Sequence, residues 1–382
     1  RRALRQAILL QLALGVVFAV AGYFLSPWLI AFMGPEDDMA LRGGIEYLQI
    51  QMLGFPVLAV TGAVTAALRG AGNTRAAMMY NLLANGVNLV GNYLLIEGRF
   101  GFPRMEVAGA SLATVIGQGA ACVMAFVILL RPSFLSRERK EKNEDAAGAP
   151  KIGNYIYLAR GDSWKPDRDL IARISRVGLP SMLEQFIIRA GFIAYAKVVT
   201  SLGTDAFAAH NICMSVLALS FVNGDAFGIA AAALTGQSLG AGQPDLAAEY
   251  ARRARRMGMV VSVCIGIAFF FCGRYIIWLY TDGAEVIRLG TDIFKIMAFI
   301  MPFQGSAIIA SGALRGAGDT RATSLIMLVS VLIVRPLSAY LLVFVFPFGL
   351  MGAWFSVLAD QLLRSGLTLL RLNRGKWKYI RV

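Results

Sequence analysis

Glu184 lies eight residues after Arg176 in an apolar stretch, with Pro180 one turn before it. At a rise of about 1.5 Å per residue this places the carboxylate about 12 Å into a helix. A charge at the centre of a membrane helix costs about 2.5–3.5 kcal/mol on insertion scales, so an acid held there requires a partner, water or a function. Proline removes one backbone donor and frees the carbonyl of Arg176, leaving the turn below Glu184 polar and deformable. Glu184 is therefore a candidate cation- or proton-exchanging group. The alternative is a fixed partner of Arg189, against which the five-residue spacing argues, since it leaves the two side chains about 140° apart round an ideal helix. Asp225 follows Asn223 and Gly224 in the next apolar stretch, where it can share a cation with Glu184 or balance Arg189. Asp360 and Arg364 have the i, i+4 spacing that puts both on one helix face. Arg335 lies about 21 Å beyond Arg321, at a depth similar to Asp360, and a static ion group Arg335–Asp360–Arg364 is the leading reading of those three charges. Asn81, Asn85, Asn88 and Asn92 share one stretch, and Thr114 and Gln118 lie in the following one. Asn88 and Asn92, one turn apart, can present amide oxygens to Na⁺ or a substrate, or simply bond between helices.

Other chemistries find few residues. His210 is the single histidine of the chain, and without Cys or His at ligand spacing it reads as a structural hydrogen-bonding residue and not a metal ligand. Cys122, Cys213, Cys264 and Cys272 all lie in apolar stretches and read as small buried residues. Neither a phosphate-binding loop nor a nucleophile elbow is found, so no catalytic residue, metal or cofactor is assigned.

The elements that carry these residues follow from composition. The 382-residue chain is 57% hydrophobic and 16% charged, with 40 glycines and a mean hydropathy of +0.62. Soluble chains are about a quarter charged, so this is an all-α integral membrane protein. The net charge of +14 resides in short Lys/Arg runs between apolar stretches. That distribution sets topology and speaks against nucleic acid. Apolar length predicts ten spans, over 7–32, 45–68, 76–96, 107–130, 174–200, 207–239, 257–280, 293–314, 322–346 and 349–370. Most Lys and Arg fall on the side that holds both chain ends, which the positive-inside rule makes cytoplasmic. Lys197 and Lys295 lie near outer helix ends and are expected to snorkel.

The expected organisation is an N-terminal bundle of four helices over 1–130, a cytoplasmic linker over 131–173, a C-terminal bundle of six helices over 174–372 and a basic tail over 373–382. Tyr155, Tyr157 and Trp164 in the linker are expected at the membrane interface. The octapeptide Leu68-Arg-Gly-Ala-Gly-Asn-Thr-Arg75 returns with one change as Leu314-Arg-Gly-Ala-Gly-Asp-Thr-Arg321. Each copy joins two spans on the same side, so the bundles are parallel repeats about an axis along the membrane normal. The glycines suit a tight turn, and the arginines are expected to cap the preceding helix while staying with lipid headgroups. The arginine cluster at 252–256 stands before its span as the one at 1–5 does, and two spans precede the second cluster only. The expectation is a six-plus-six protein of which the first two helices precede Arg1.

These turns, together with Gly236-Gln-Ser-Leu-Gly-Ala-Gly242, Ala208-Ala-His210 and Val107-Ala-Gly-Ala-Ser-Leu-Ala-Thr114, resemble the multidrug and toxic compound extrusion (MATE) family over essentially the whole chain. The resemblance implies secondary active efflux, with inward Na⁺ or H⁺ driving small organic cations or other amphipathic drugs out through a central cleft between two bundles. It implies a monomer in the cell membrane, in contact with its lipids and without a cofactor beyond the coupling ion. Asn88, Asn92 and Thr114 match a first-lobe cation site of the family, with Asn92 where Asp is frequent, and Gln304 holds the place of a second-lobe acid. Taken together, Glu184, Asp225, Asn88, Asn92 and Thr114 are the candidate coupling residues, and Arg189, Arg335, Asp360 and Arg364 the candidate intramembrane ion network. A flippase for lipid-linked saccharides is the nearest rival, and an intramembrane enzyme, which needs clustered catalytic groups, a more distant one.

Overall fold

The computed structural model describes residues 2–32, 37–130, 158 and 164–380, and every long element among them is a helix. In chain order these are α1 Arg2–Phe32, α2 Asp38–Gly70, α3 Thr74–Leu95, α4 Glu106–Leu130, α5 Arg168–Thr200, α6 Thr204–Gly240, α7 Pro244–Trp278, α8 Ala284–Gly316, α9 Thr320–Val345 and α10 Gly349–Asn373. Tyr155 and Tyr157 lie outside the described residues, and Trp164 is exposed.

Several helices outrun the apolar stretches that predict them. α7 starts at Pro244, so the Arg252–Arg256 cluster is helical, and α5 starts at Arg168, inside the expected linker. Hydropathy marks only the lipid-crossing portion, while backbone hydrogen bonding continues into solvent until a cap stops it. Among the described residues, eight helices are long and apolar enough to cross a membrane by length and composition. The other two, α3 and α10, are 22 and 25 residues long and carry the four asparagines and the Asp360, Arg364 and Arg371 charges respectively.

The chain divides into two compact units, Arg1–Ile174 and Ser175–Val382, the division falling within α5. In the first unit α1 packs on α2, α2 on α4 and α3 on α4, around Leu4, Ile8, Val64, Leu68, Tyr80, Ala125 and Leu129. In the second unit α6 and α7 both pack on α8, as does α10. The apolar window of α8 is 72% buried, against 28% for α6 and for α7, so α8 is the central helix of this unit. Large apolar side chains such as Phe24, Phe32, Leu53, Leu89, Phe271 and Leu279 point outward, as lipid-facing surfaces require. Cys264 and Cys272 share that exposure, which corrects the expectation that all four cysteines are buried. All four are free thiols.

The two octapeptides form the same turn. Asn73 N–H donates to the Leu68 carbonyl and Gly72 N–H to Arg69, while Asp319 N–H donates to Leu314 and Gly318 N–H to Arg315. Gly72 and Gly318 have φ of +86° and +82°, so each is the left-handed residue of a Schellman cap. Gly240-Ala-Gly242 repeats the pattern a third time, with Gln243 N–H on Ser238 and Gly242 at φ +72°.

The single difference between the octapeptides has a structural counterpart. Asn73 Oδ1 accepts from Ala76 N–H and caps α3, whereas Asp319 makes no cap and instead accepts from Arg371 Nε on α10 at 2.7 Å. Replacing Asp319 by Asn keeps the turn and removes the ion pair, in which Asp319 is buried and Arg371 partly exposed. The expected result is a loss of about 1–2 kcal/mol, read as a lowered thermal midpoint in detergent.

α9 is not a continuous α-helix. It widens to π geometry over Leu328–Val334 and Leu341–Val345, and Arg335 N–H donates to Ser330 five residues back. Pro336 follows directly; its ring lacks an N–H and crowds the preceding turn, which a wider turn relieves. The register shift delivers Arg335 into the interior, where it is 3% exposed. Beyond α10 the tail is docked and not free: Trp377 is buried and donates from Nε1 to the Leu372 carbonyl at 2.8 Å. Lys378 reaches Asp245 at 2.9 Å.

Candidate functional site

Glu184 is 1% exposed. One carboxylate oxygen faces Arg315 Nη1 at 3.3 Å and the other accepts the Thr323 hydroxyl at 3.1 Å. Arg315 stands in the last turn of α8, and Thr323 in the first turn of α9. Below the acid, the Ser324 hydroxyl donates to the Pro180 carbonyl at 2.7 Å, which ties the polar turn of α5 to α9. Arg315 is the residue that sequence reasoning missed. It was expected at the headgroups as a helix cap, yet its side chain turns inward to the acid. The available signal was its place at the end of a span, from which a long side chain can reach inward while its stem stays along the helix.

Arg189 takes no part. Its side chain is exposed and makes no ion pair among the described residues. This corrects both its place in the ion network and its pairing with Glu184 or Asp225. The reason is azimuth, since Glu184 points to α8 and α9, and a residue five positions on cannot follow it round the helix. Asp225 is exposed on α6 and makes no direct contact with Glu184, but the Arg315 guanidinium lies within electrostatic reach of it. Asn223 donates to the Ser262 hydroxyl at 3.3 Å.

Deeper in the second unit, Asp360 Oδ2 accepts from Arg335 Nη2 at 2.7 Å and stands 3.7 Å from Arg364 Nη2. The three residues are 3%, 0% and 6% exposed in the order Arg335, Asp360, Arg364. The Arg335 guanidinium also lies over the rings of Phe192 and Tyr195, at 5.1 and 5.7 Å from their centroids, where the ring faces attract a cation. Arg364 Nη1 contacts the Met327 sulfur at 3.5 Å. His210 is buried between Tyr195 and Trp354, with ring centroids 5.5 and 5.7 Å away. Its Nδ1 has no hydrogen-bond partner among the described residues, so packing and not hydrogen bonding holds it. Lys295 pairs with Asp292 at 2.8 Å, and Lys197 is exposed.

In the first unit the amides form a directed chain. Asn92 Nδ2 donates to Asn88 Oδ1 at 3.3 Å, Asn88 Nδ2 to the Thr114 hydroxyl at 2.9 Å, and Thr114 to the Ala110 carbonyl at 2.9 Å. Asn92 Oδ1 is buried with no partner among the described residues, leaving an acceptor at the head of the chain. Asn81 bonds back to Ala77 at 2.7 Å, and Asn85 is exposed. No group of three or more His, Cys, Asp or Glu among the described residues is arranged to hold a metal.

The described residues thus form an all-helical, multi-pass membrane protein with buried acids balanced by arginines. A family model described as MatE matches residues 1–94 and 180–341, well over half of the chain. A probable multidrug resistance protein NorM of Thermotoga maritima is 30% identical over 337 residues, covering 87% of this chain and 67% of the relative. The multidrug resistance protein MdtK of Edwardsiella ictaluri is 27% identical over 326 residues, covering 85% and 67%. Among solved structures, a MATE protein in a straight conformation overlays with a TM-score of 0.84 at 20% identity, covering 98% of this chain and 79% of the other. A MOP-superfamily transporter of Pyrococcus furiosus gives 0.85 at 19% identity, covering 99% and 79%. The chain belongs to the MatE family. It is a secondary transporter of the drug-efflux class, driven by an ion gradient and not an enzyme, and these relatives favour neither the flippase nor the intramembrane-enzyme reading.

Proposed function

We propose that this transporter exports small organic cations and other amphipathic drugs across the cell membrane in exchange for Na⁺ or H⁺, working as a monomer with both chain ends cytoplasmic. The observation that carries the proposal is Glu184, a carboxylate buried in a membrane helix and satisfied by one arginine and one hydroxyl. Such a group keeps its charge balanced whether the arginine or an arriving cation occupies it, so the two can replace each other at small net cost, which is what an exchange site requires. In this reading Glu184 and Asp225 are the coupling acids of the second unit. Asn88, Asn92 and Thr114 form an auxiliary polar site in the first unit, where the unpartnered Asn92 Oδ1 can take a cation. Arg335, Asp360 and Arg364 serve as a fixed internal support. The distribution of Lys and Arg supports the cytoplasmic placement of the ends, and the substrate class follows from the multidrug resistance names of the relatives.

The test is dye export by the purified transporter in liposomes under Na⁺ and H⁺ gradients imposed separately. Export driven by one gradient and abolished by its collapse is expected. Export that is indifferent to both gradients overturns the proposal.

A further inference from the structure

We infer that Arg315 is a tethered cation that holds Glu184 while the coupling ion is absent and moves to Asp225 when the ion arrives. The inference rests on Glu184 being the exchange group.

Three observations carry it. The contact of Arg315 with Glu184 is a single one of 3.3 Å, and the arginine side chain is 34% exposed where the carboxylate is 1% exposed. A guanidinium that joins a carboxylate through both nitrogens is firmly fixed, whereas one with a single contact and a solvated flank is free to leave. The second observation is the packing of α6 on α8. A Cβ at Gly312 would stand 2.8 Å from the Gly228 Cα and closer still to its carbonyl oxygen, and a Cβ at Gly236 would meet the Gly316 carbonyl at 3.1 Å. The two backbones therefore touch between Asp225, three residues before Gly228, and Arg315, three residues after Gly312, which stand about 9 Å apart along the paired helices. Side chains in a helix lean toward its N-terminus, which aims Arg315 back along α8 toward the level of Asp225.

The third observation is the balance of charge. Of the buried charges of the second unit, Asp319 is paired with Arg371 and Asp360 with Arg335 and Arg364, which leaves Glu184 to the partly exposed Arg315. Arg364 is within the field of Glu184 but is engaged by Asp360. An arriving Na⁺ or H⁺ that displaces Arg315 leaves the charge at Glu184 unchanged, and Asp225 neutralises the arginine at its new seat. Around Glu184 the other groups are Thr323 and Ser324 of α9, neither of which carries a charge. The first octapeptide has the same turn and the equivalent Arg69, yet no Asp or Glu of the first unit is buried among the described residues. The switch therefore belongs to the second unit and not to the turn itself.

The experiment measures dye export from proteoliposomes against the concentration of whichever cation, Na⁺ or H⁺, drives the unaltered protein. Arg315→Ala removes the internal competitor, so the half-saturating cation concentration should fall about tenfold, with a lower maximal rate because nothing displaces the ion. Asp225→Asn removes the second seat, so Arg315 stays on Glu184 and the half-saturating concentration should rise about tenfold. In the double variant the Asp225→Asn effect should vanish. An equal Asp225→Asn shift in both backgrounds overturns the inference, as does a rise in half-saturating concentration for Arg315→Ala. Should Arg315→Ala fail to insert, Asp225→Asn alone decides, and no shift overturns it. Glu184→Gln separates the two readings: unchanged gradient-driven export in that variant sinks the exchange site itself, whereas its loss together with additive Arg315 and Asp225 effects sinks only the switch.

Discussion

Glu184→Gln is expected to bring gradient-driven export down to the level of protein-free liposomes while the protein still folds and inserts. The amide keeps the size of the side chain, and its oxygen can still accept the Thr323 hydroxyl now 3.1 Å away. What is lost is the charge that draws a cation into a 1% exposed site. The cost to folding is small for two reasons. Removing a buried charge also removes its own desolvation penalty. The freed Arg315 is partly exposed already, so it keeps water and the attraction of Asp225, and the net change in stability should be about 1 kcal/mol. Substrate binding, followed by fluorescence of a bound dye, should persist without its dependence on the driving ion. A variant that exports at the normal ion-driven rate would remove Glu184 from the exchange role and leave Asp225 as the leading candidate.

Asp360→Asn should have the opposite character, a large effect on stability. Asp360 is fully buried and is the acid that both Arg335 and Arg364 face, at 2.7 and 3.7 Å. Without its charge two guanidinium groups remain in the interior of a membrane bundle with repulsion between them. Breaking a buried ion group by removing one partner costs about 3–5 kcal/mol, which corresponds to a thermal midpoint lower by about 10 °C for a unit of this size. Replacing all three residues together by apolar ones of similar volume, with Arg335→Met, Asp360→Leu and Arg364→Met, should recover most of the loss, because no uncompensated charge is then buried. Ion-dependent export in the triple variant supports a supporting role for the group. Full stability in Asp360→Asn would show that the arginines are solvated and that Asp360 does not hold them.

Much of the molecule was legible in one dimension. Apolar runs of about 20 residues specify membrane helices wherever they occur, and the octapeptide's glycines specify the same Schellman turn at Gly72 and Gly318 because only the left-handed conformation closes it. The depths of Arg335, Asp360 and Arg364 along their helices follow from a constant rise per residue, and the three groups do meet. The extent of α7 was not legible, since the arginine cluster before its apolar run gives no hydropathy signal.

What the sequence by itself determined is the membrane class, the helices, the repeated turn and which charges lie deep. Those properties depend on local composition and on helix geometry, which are read along one chain. Only the tertiary structure decided which charges face each other. Glu184 meets Arg315, 131 residues away, and not Arg189, five residues away, because a partner in a bundle is chosen by the direction in which each helix face points and by how closely the backbones approach. Both depend on packing such as that of Gly228 against Gly312, which couples residues that sequence spacing cannot connect.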